Sequence, residues 1–376
     1  VNMELVERKI HDEVERWFFK NKAIVIYGAR QVGKTTFVKQ LVKKRDEPSI
    51  YLNCDEPDIR ESLTEKNSLE LQLLIGKNKI VIIDEAQRVP SIGVTIKLLV
   101  DNYPEIQVIA TGSSSLDLAA GIKEPLTGRK IEFTLYPLSV QEILSVEKPV
   151  DYMRLLPTRL IFGSYPGVIF SADRELLIRE ISEAYLYKDL VELQKVRNLD
   201  QLRKLLQALA LQIGSEVSYN ELGTMLNLDK ETVGRYIQVL VQTQVIFELS
   251  PFKNNLRNTI GRLRKIYFCD LGIRNAIINN LNPLDLRTDT GALWENYCIL
   301  ERRKLNSNNM RFPNAYFWRS YDKSEIDYLE EMSGKLHAYE FKWRDSRPHP
   351  PKAFFDVYTD APYHLVNRHN LFDFLT

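Results

Sequence analysis

The sequence predicts an α/β protein in three parts: a parallel sheet, a mainly helical middle, and a strand-bearing end. Three observations predict it. Short apolar strands alternate with helical stretches over residues 1–150, the pattern of a parallel sheet with crossover helices. From Asp151 the chain becomes helical and leucine-rich, as in "RELLIREISEAYLYKDLVELQKV" and "DQLRKLLQALALQIG". From about Thr288 strands and aromatic residues return. The expected domains are therefore 1–150, 151–287 and 288–376.

The elements follow in order. "VNMELVERKIHDEVERWFFKNK" reads as an amphipathic helix, with both charges mixed and no signal-peptide core. "AIVIYG", "SIYLNCD", "KIVIIDE" and "IQVIATGSS" are short buried strands, and "KTTFVKQLVKK" has helical spacing. Around "LTGRKIEFTLYPLSVQEI" the first sheet finishes.

Composition bounds the function. A chain of 376 residues exceeds one ordinary core. A net charge of +1 gives no global electrostatic case for nucleic acid, so only a local basic surface supplies one. The 3 cysteines are widely spaced and fit neither a disulfide framework nor a zinc pattern. The apolar runs are too short to span a bilayer, which argues for a cytoplasmic protein.

"GARQVGKTT" fits G-x-x-x-x-G-K-[ST] between an apolar strand and a helix, the context the motif needs. Gly28, Ala29, Arg30, Gln31, Val32, Gly33, Lys34, Thr35 and Thr36 are the expected phosphate loop. Lys34 would reach the β- and γ-phosphates and the Thr35 hydroxyl would ligate Mg²⁺. "KIVIIDEAQ" delivers Asp84 and Glu85 to a strand's C-terminal end, where open α/β sheets bind ligands. Asp84 would hold Mg²⁺ and Glu85 would polarise the attacking water. In "ATGSSS", Ser113 or Ser114 is the expected γ-phosphate sensor, with a helix N-cap as the competing role. Arg129 in "LTGRK" reads equally as an arginine finger, in cis or in trans, or as a surface arginine after a glycine turn.

These motifs in this order resemble the AAA-type ATPases of the AAA_14 group. That resemblance implies ATP as the nucleotide. "FGSYPGVI", "YLYKDL", "YFCDLGIRNAI" and "GALWENY" resemble the domain of unknown function 4143 that completes such ATPases.

"VSYNELGTMLNLDKETVGRYIQVLVQTQVIFELSPF" has helix-turn-helix logic. Ser218 with Glu221 forms a capping box, and Asp229 caps the second helix. Leu222, Met225 and Leu226, then Val233, Ile237, Leu240 and Val241, are expected to face inward. "VIFELSPF" and "LRKIYFCD" would pair as the wing of a winged helix. Lys230, Thr232, Arg235 and Gln238, with Lys253, Arg257, Arg262 and Arg264, suit contacts to DNA phosphates. The competing role is a lid or protein docking surface.

"SEIDYLEEMSGKLHAYEFKW" reads as a hairpin turning at Ser-Gly. Residues two apart on a strand share a face, so Glu340 and Lys342 point together, and Asp327 shares a face with Glu325 and Leu329. Glu295 in "GALWENY", Asp327, and Glu340-x-Lys342 resemble in order the PD-(D/E)xK nuclease fold, which is restriction-endonuclease-like. Glu295, Asp327 and Glu340 would then hold Mg²⁺, and Lys342 would orient a water or stabilise negative charge. Acid-x-Lys on a strand is equally an ordinary ion pair. Two readings compete. One is an ATPase acting with DNA. The other is a signalling ATPase switch that binds a protein partner and carries an inactive nuclease-like end.

Overall fold

The computed structural model describes residues 6–113, 125–184, 198–252, 263–320, 322 and 324–376. Ser114, "YLYKDL" and the wing residues Lys253, Arg257 and Arg262 lie outside the described residues. The chain falls into two units: residues 7–138 with 242–244, and the remainder.

The first unit is built on five strands: β1 (Ala23–Tyr27), β2 (Ser49–Asn53), β3 (Ile80–Asp84), β4 (Gln107–Gly112) and β5 (Lys130–Thr134). Their order is β2-β3-β4-β1-β5, and every pairing is parallel. β1, β3 and β4 are buried along their whole length, which explains their unbroken apolar sequence rather than an alternating one. Val25, Val81, Ile83 and Ala110 pack with Leu71, Ile92 and Leu99 from helices of the same unit. Ile26 pairs with Thr111 and Asn53 with Asp84, so the C-terminal ends of β1 to β4 come together. The expected long N-terminal helix is shorter: among the described residues it spans His11–Glu15, and Ile10, Val14 and Phe18 are buried around it.

The second unit contains helices Pro149–Phe162, Arg174–Ala184, Leu199–Leu211, Tyr219–Leu226, Lys230–Gln242, Leu271–Ile277 and Thr290–Asn308. Its strands are β6 (Glu216–Val217), β7 (Ile246–Pro251), β8 (Arg264–Phe268), β9 (Asn314–Arg319), β10 (Glu325–Met332), β11 (Lys335–Phe341) and β12 (Tyr363–Val366). They form one sheet, ordered β12-β11-β10-β9-β7-β8-β6. β7 pairs antiparallel with β8 and parallel with β9. The strands of the middle region therefore continue into those of the C-terminal region.

The Ser218 side chain accepts from the Glu221 N–H, and that of Asp229 from the Thr232 N–H at 2.7 Å, capping the two successive helices. Leu222, Val233, Ile237 and Leu240 are buried as their spacing requires. Met225 is exposed instead, and Leu226 at the end of the first helix is half-buried.

Three stretches singled out in the sequence interlock. Gly163 has φ +74°, and a Cβ there would lie 2.0 Å from Asp270 Oδ1. Asp270 accepts from the N–H of Ser164 at 2.8 Å and caps the helix Leu271–Ile277 through the Ile273 N–H. Asn275 donates to the carbonyls of Leu160 and Ile161, and Asn296 bonds both backbone groups of Phe268. "FGSYPG", "YFCDLGIRNAI" and "GALWENY" are thus one buried polar joint, in which side chains satisfy backbone groups of Ser164, Ile273 and Phe268.

Candidate functional site

The phosphate loop follows β1 and opens the helix Lys34–Lys43. Its glycines have separate reasons. A Cβ on Gly28 would meet the Leu135 carbonyl at 2.5 Å, and Gly33 sits at φ +96°. Gln31 is also left-handed, at φ 62°. Ala29 and Val32 are buried, Arg30 is half-buried and Thr36 is exposed. Arg8, absent from the sequence reading, donates to the Val32 carbonyl at 3.0 Å and to the Tyr136 carbonyl, fastening the loop from behind.

Lys34 is buried, and its Nζ donates to the carbonyls of Gly28 at 2.9 Å and Ala29 at 3.0 Å. An ammonium held inside the loop by carbonyl oxygens is placed to pass to an incoming phosphate. The helix N-terminus adds its partial positive charge.

Asp84 ends β3 and is buried. Thr35 Oγ1 donates to its Oδ2 at 2.8 Å. Tyr51 from β2 donates to the same oxygen, and Thr111 from β4 donates to Oδ1. The removal of Tyr51 from water and its bond to Asp84 raise the phenol well above its usual range, so it stays a donor. Asp84 is therefore anchored by three hydroxyls. Thr35 and Asp84 together present hard oxygens, the donor set that suits Mg²⁺ with water and phosphate completing the shell.

Glu85 leaves β3 in a left-handed conformation, φ 53° and ψ 43°, a strained setting for a non-glycine residue. Its N–H donates to Thr111 Oγ1 at 3.3 Å, and its Oε2 accepts from Gln87 at 2.6 Å. Ser113 follows the end of β4 and is half-buried. Sequence reasoning missed Tyr51 and Thr111 at this end of the sheet. Thr111 had a signal: it is the polar residue inside the apolar strand "QVIATG".

Arg129 requires a correction. It immediately precedes β5, and its carbonyl accepts from Ala23, the first residue of β1. In a parallel sheet that is the end opposite Lys34, so Arg129 cannot reach the phosphate loop of its own chain. Its Nε donates instead to Asp101 at 2.6 Å.

In the second unit the hairpin turns at Ser333-Gly334, both at positive φ, and pairs Tyr328 with Tyr339. This register sets Asp327 beside Glu340, and Asp327 Oδ2 accepts from the Phe341 N–H at 2.9 Å. Lys342 Nζ lies 2.8 Å from Glu340 Oε1. Leu329 does not share a face with Asp327. A register irregularity between Ile326 and Leu329 puts Leu329 with Ile326 in the core. Glu295 Oε1 accepts from Tyr267 at 2.6 Å and from Lys265 at 3.0 Å. Lys265 also pairs with Glu325, and Tyr363 donates to Glu340. Withdrawal from water and the neighbouring Glu295 push the Asp327 carboxyl up to about 7.

The structure does not gather Glu295, Asp327 and Glu340 into an ion-binding group. Among the described residues no three His, Cys, Asp or Glu side chains are placed to share an ion. Both glutamates already carry a lysine and a tyrosine, so this donor set does not fit a divalent cation.

On the helix Lys230–Gln242, Lys230, Arg235 and Gln238 are exposed and Thr232 is half-buried. Arg264 is tied to Glu248 at 2.7 Å, and Glu248 also accepts from Tyr219.

Residues 20–144 match a family model described as an AAA domain, AAA_14. Residues 153–284 match a domain of unknown function, DUF8612, and residues 290–371 another, DUF4143. The chain therefore carries an AAA-type domain at its N-terminal end and a DUF4143 domain at its C-terminal end. It is 27% identical over 356 residues to the uncharacterized protein MJ1544 of Methanocaldococcus jannaschii, covering 87% of this chain and 77% of that one. It is 27% identical over 350 residues to the uncharacterized protein Rv2008c of Mycobacterium tuberculosis, covering 92% and 75%. Among solved structures, the Walker-type ATPase PABY2304 of Pyrococcus abyssi aligns with a TM-score of 0.49 at 16% identity, over 73% of this chain and 97% of that one. No described helix is long and apolar enough to cross a membrane.

Proposed function

We propose that the chain is a Mg²⁺-dependent ATPase whose first unit binds and hydrolyses ATP and whose second unit works on DNA. The observation that carries the ATPase reading is the convergence of Lys34, Thr35, Asp84 and Glu85 at one end of the parallel sheet.

The backbone N–H groups of the loop cradle the phosphates, and Lys34 leaves the Gly28 and Ala29 carbonyls for the β- and γ-phosphates. Thr35 and Asp84 would hold Mg²⁺, which would supply positive charge to offset that of the phosphate oxygens. Thr111 fixes Asp84 through its hydroxyl and Glu85 through its backbone. Glu85 accepts a proton from the attacking water, and Gln87 sets its carboxylate beforehand. Ser113, one residue beyond β4, is the sensor of the γ-phosphate. Steady-state hydrolysis tests this directly. Wild type should turn over ATP with Mg²⁺ and stop with EDTA, and Asp84→Asn should be inactive.

Lys230, Thr232 and Arg235 on an exposed helix face support DNA contact, in the manner of a winged helix with β7 and β8 as its wing strands. Fluorescence anisotropy against salt tests it: Lys230→Ala and Arg235→Ala should each lower the salt slope by about 1. A second reading, an ATP-driven switch that binds a protein, is favoured by the pairing of Arg264 with Glu248, which withdraws a cation from that face. Salt-independent anisotropy would select it.

A further inference from the structure

Outside the phosphate loop, a dense group of ionisable side chains lies where β8, β10, β11 and the helix Thr290–Asn308 meet. Each carboxylate there has its own donors. Glu295 takes Lys265 and Tyr267, and Glu325 takes Lys265 and, at 3.8 Å, Arg319. Glu340 takes Lys342 and Tyr363, and Asp327 takes the Phe341 N–H. The Lys265 side chain is only 4% exposed, and its ammonium lies 5.5 Å from the centre of the Phe317 ring.

We infer that the Lys265 ammonium is the resident cation of this cluster, in the place a divalent ion would need, so the C-terminal region holds its carboxylates together without metal and does not cut phosphodiesters through one. Mg²⁺ demands oxygens in near-octahedral array at about 2.0–2.1 Å. Glu295 and Glu325 can turn to such an ion only by releasing Lys265. An ammonium this buried, once parted from Glu295 and Glu325, loses both of its ion pairs, so exchange is unfavourable. The tyrosines reinforce this. Tyr267 and Tyr363 occupy lone pairs that a metal would use, and neither donates its proton elsewhere in this arrangement. Lys265 sits on β8, distant in sequence from both glutamates, so its ammonium also ties the middle region's strands to β10 and to the helix bearing Glu295.

The test counts bound Mn²⁺ by electron paramagnetic resonance on nucleotide-free full chain. Asp84→Asn serves as the background, which removes the phosphate-loop carboxylate and separates this inference from the ATPase reading. With Lys265 intact, no Mn²⁺ binding should depend on Asp327. Lys265→Met should gain one bound Mn²⁺ at least about tenfold more tightly, and adding Asp327→Asn should abolish it. Circular dichroism checks folding. Should Lys265→Met not fold, Lys265→Gln takes its place, and the Lys265-intact protein decides if neither folds. Labelled DNA incubated with wild type and Mg²⁺ or Mn²⁺ should stay intact. Asp327-dependent Mn²⁺ binding with Lys265 in place overturns the inference. So does cleavage lost in Asp327→Ala, or a folded Lys265 variant that gains no ion.

Discussion

The two acid-and-lysine sites of this chain handle the same residue types in opposite ways. In the first unit Asp84 is held by three neutral hydroxyls, while Lys34 rests on carbonyl oxygens. In the second unit Glu295 and Glu340 are each held by a lysine as well as a tyrosine. Hydroxyls orient a carboxylate without cancelling its charge, so Asp84 remains able to attract a cation and Lys34 an anion. Lysine partners offset it, so Glu295 and Glu340 have less electrostatic attraction left for an outside ion. The identity of the partners, more than the presence of carboxylates, separates a ligand site from a structural joint.

Substituting the lysines should show this difference most strongly. Lys265→Ala strips a buried cation from two carboxylates and should cost about 3–5 kcal/mol of stability, read by chemical denaturation. Lys34→Ala should leave stability within about 1 kcal/mol, since its hydrogen bonds to the Gly28 and Ala29 carbonyls are to neutral acceptors, yet lower ATP turnover roughly 10²–10³-fold. Equal stability losses at both positions would erase the contrast.

Acidity separates them next. The Asp327 carboxyl titrates higher folded than unfolded, so between the unfolded range near pH 4 and its folded value of about 7 the native state binds the extra proton. Stability contributed by this group therefore falls as pH rises across that window and stays low above it. Asp327→Asn should accordingly stabilise the protein relative to wild type at pH 8 and lose that advantage near pH 4, as measured by urea unfolding at both values.

The smallest effect is expected at Tyr51. Tyr51→Phe removes one donor from Asp84 Oδ2 and leaves Thr35 and Thr111 in place. It should lower the Mg²⁺ concentration for half-maximal hydrolysis by about fivefold, near 1 kcal/mol for one hydrogen bond. A rise in that concentration would mean that Tyr51 positions Asp84 rather than competing for it.

The legible parts of this molecule were those coded by adjacent residues. The phosphate loop is one continuous segment, and β3 carries Asp84 and Glu85 to its own end, so motif and strand pattern located both. Tyr51 and Thr111 were not legible as Asp84 partners, because they arrive from β2 and β4 and only sheet register brings them together. For Arg129, the finger in cis could be set aside from the strand order. A residue before a parallel strand and a loop after one must lie at opposite ends of the sheet. The hairpin register was readable from Ser333-Gly334, whereas the irregularity that turns Leu329 inward left no mark in the alternation. Lys265 was hidden for a related reason. On a strand whose flanking residues look like a basic wing, nothing local distinguishes an outward Arg264 from an inward lysine.

The central claim is that the end of β3 is a hydrolytic site with binding and chemistry separately assigned. The most direct measurement is ATP binding and ATP turnover side by side for wild type and Glu85→Gln, using a fluorescent ATP analogue and phosphate release. The account predicts that Glu85→Gln binds nucleotide within about twofold of wild type while turnover falls roughly 10²–10⁴-fold. Turnover that survives the substitution unchanged would contradict it.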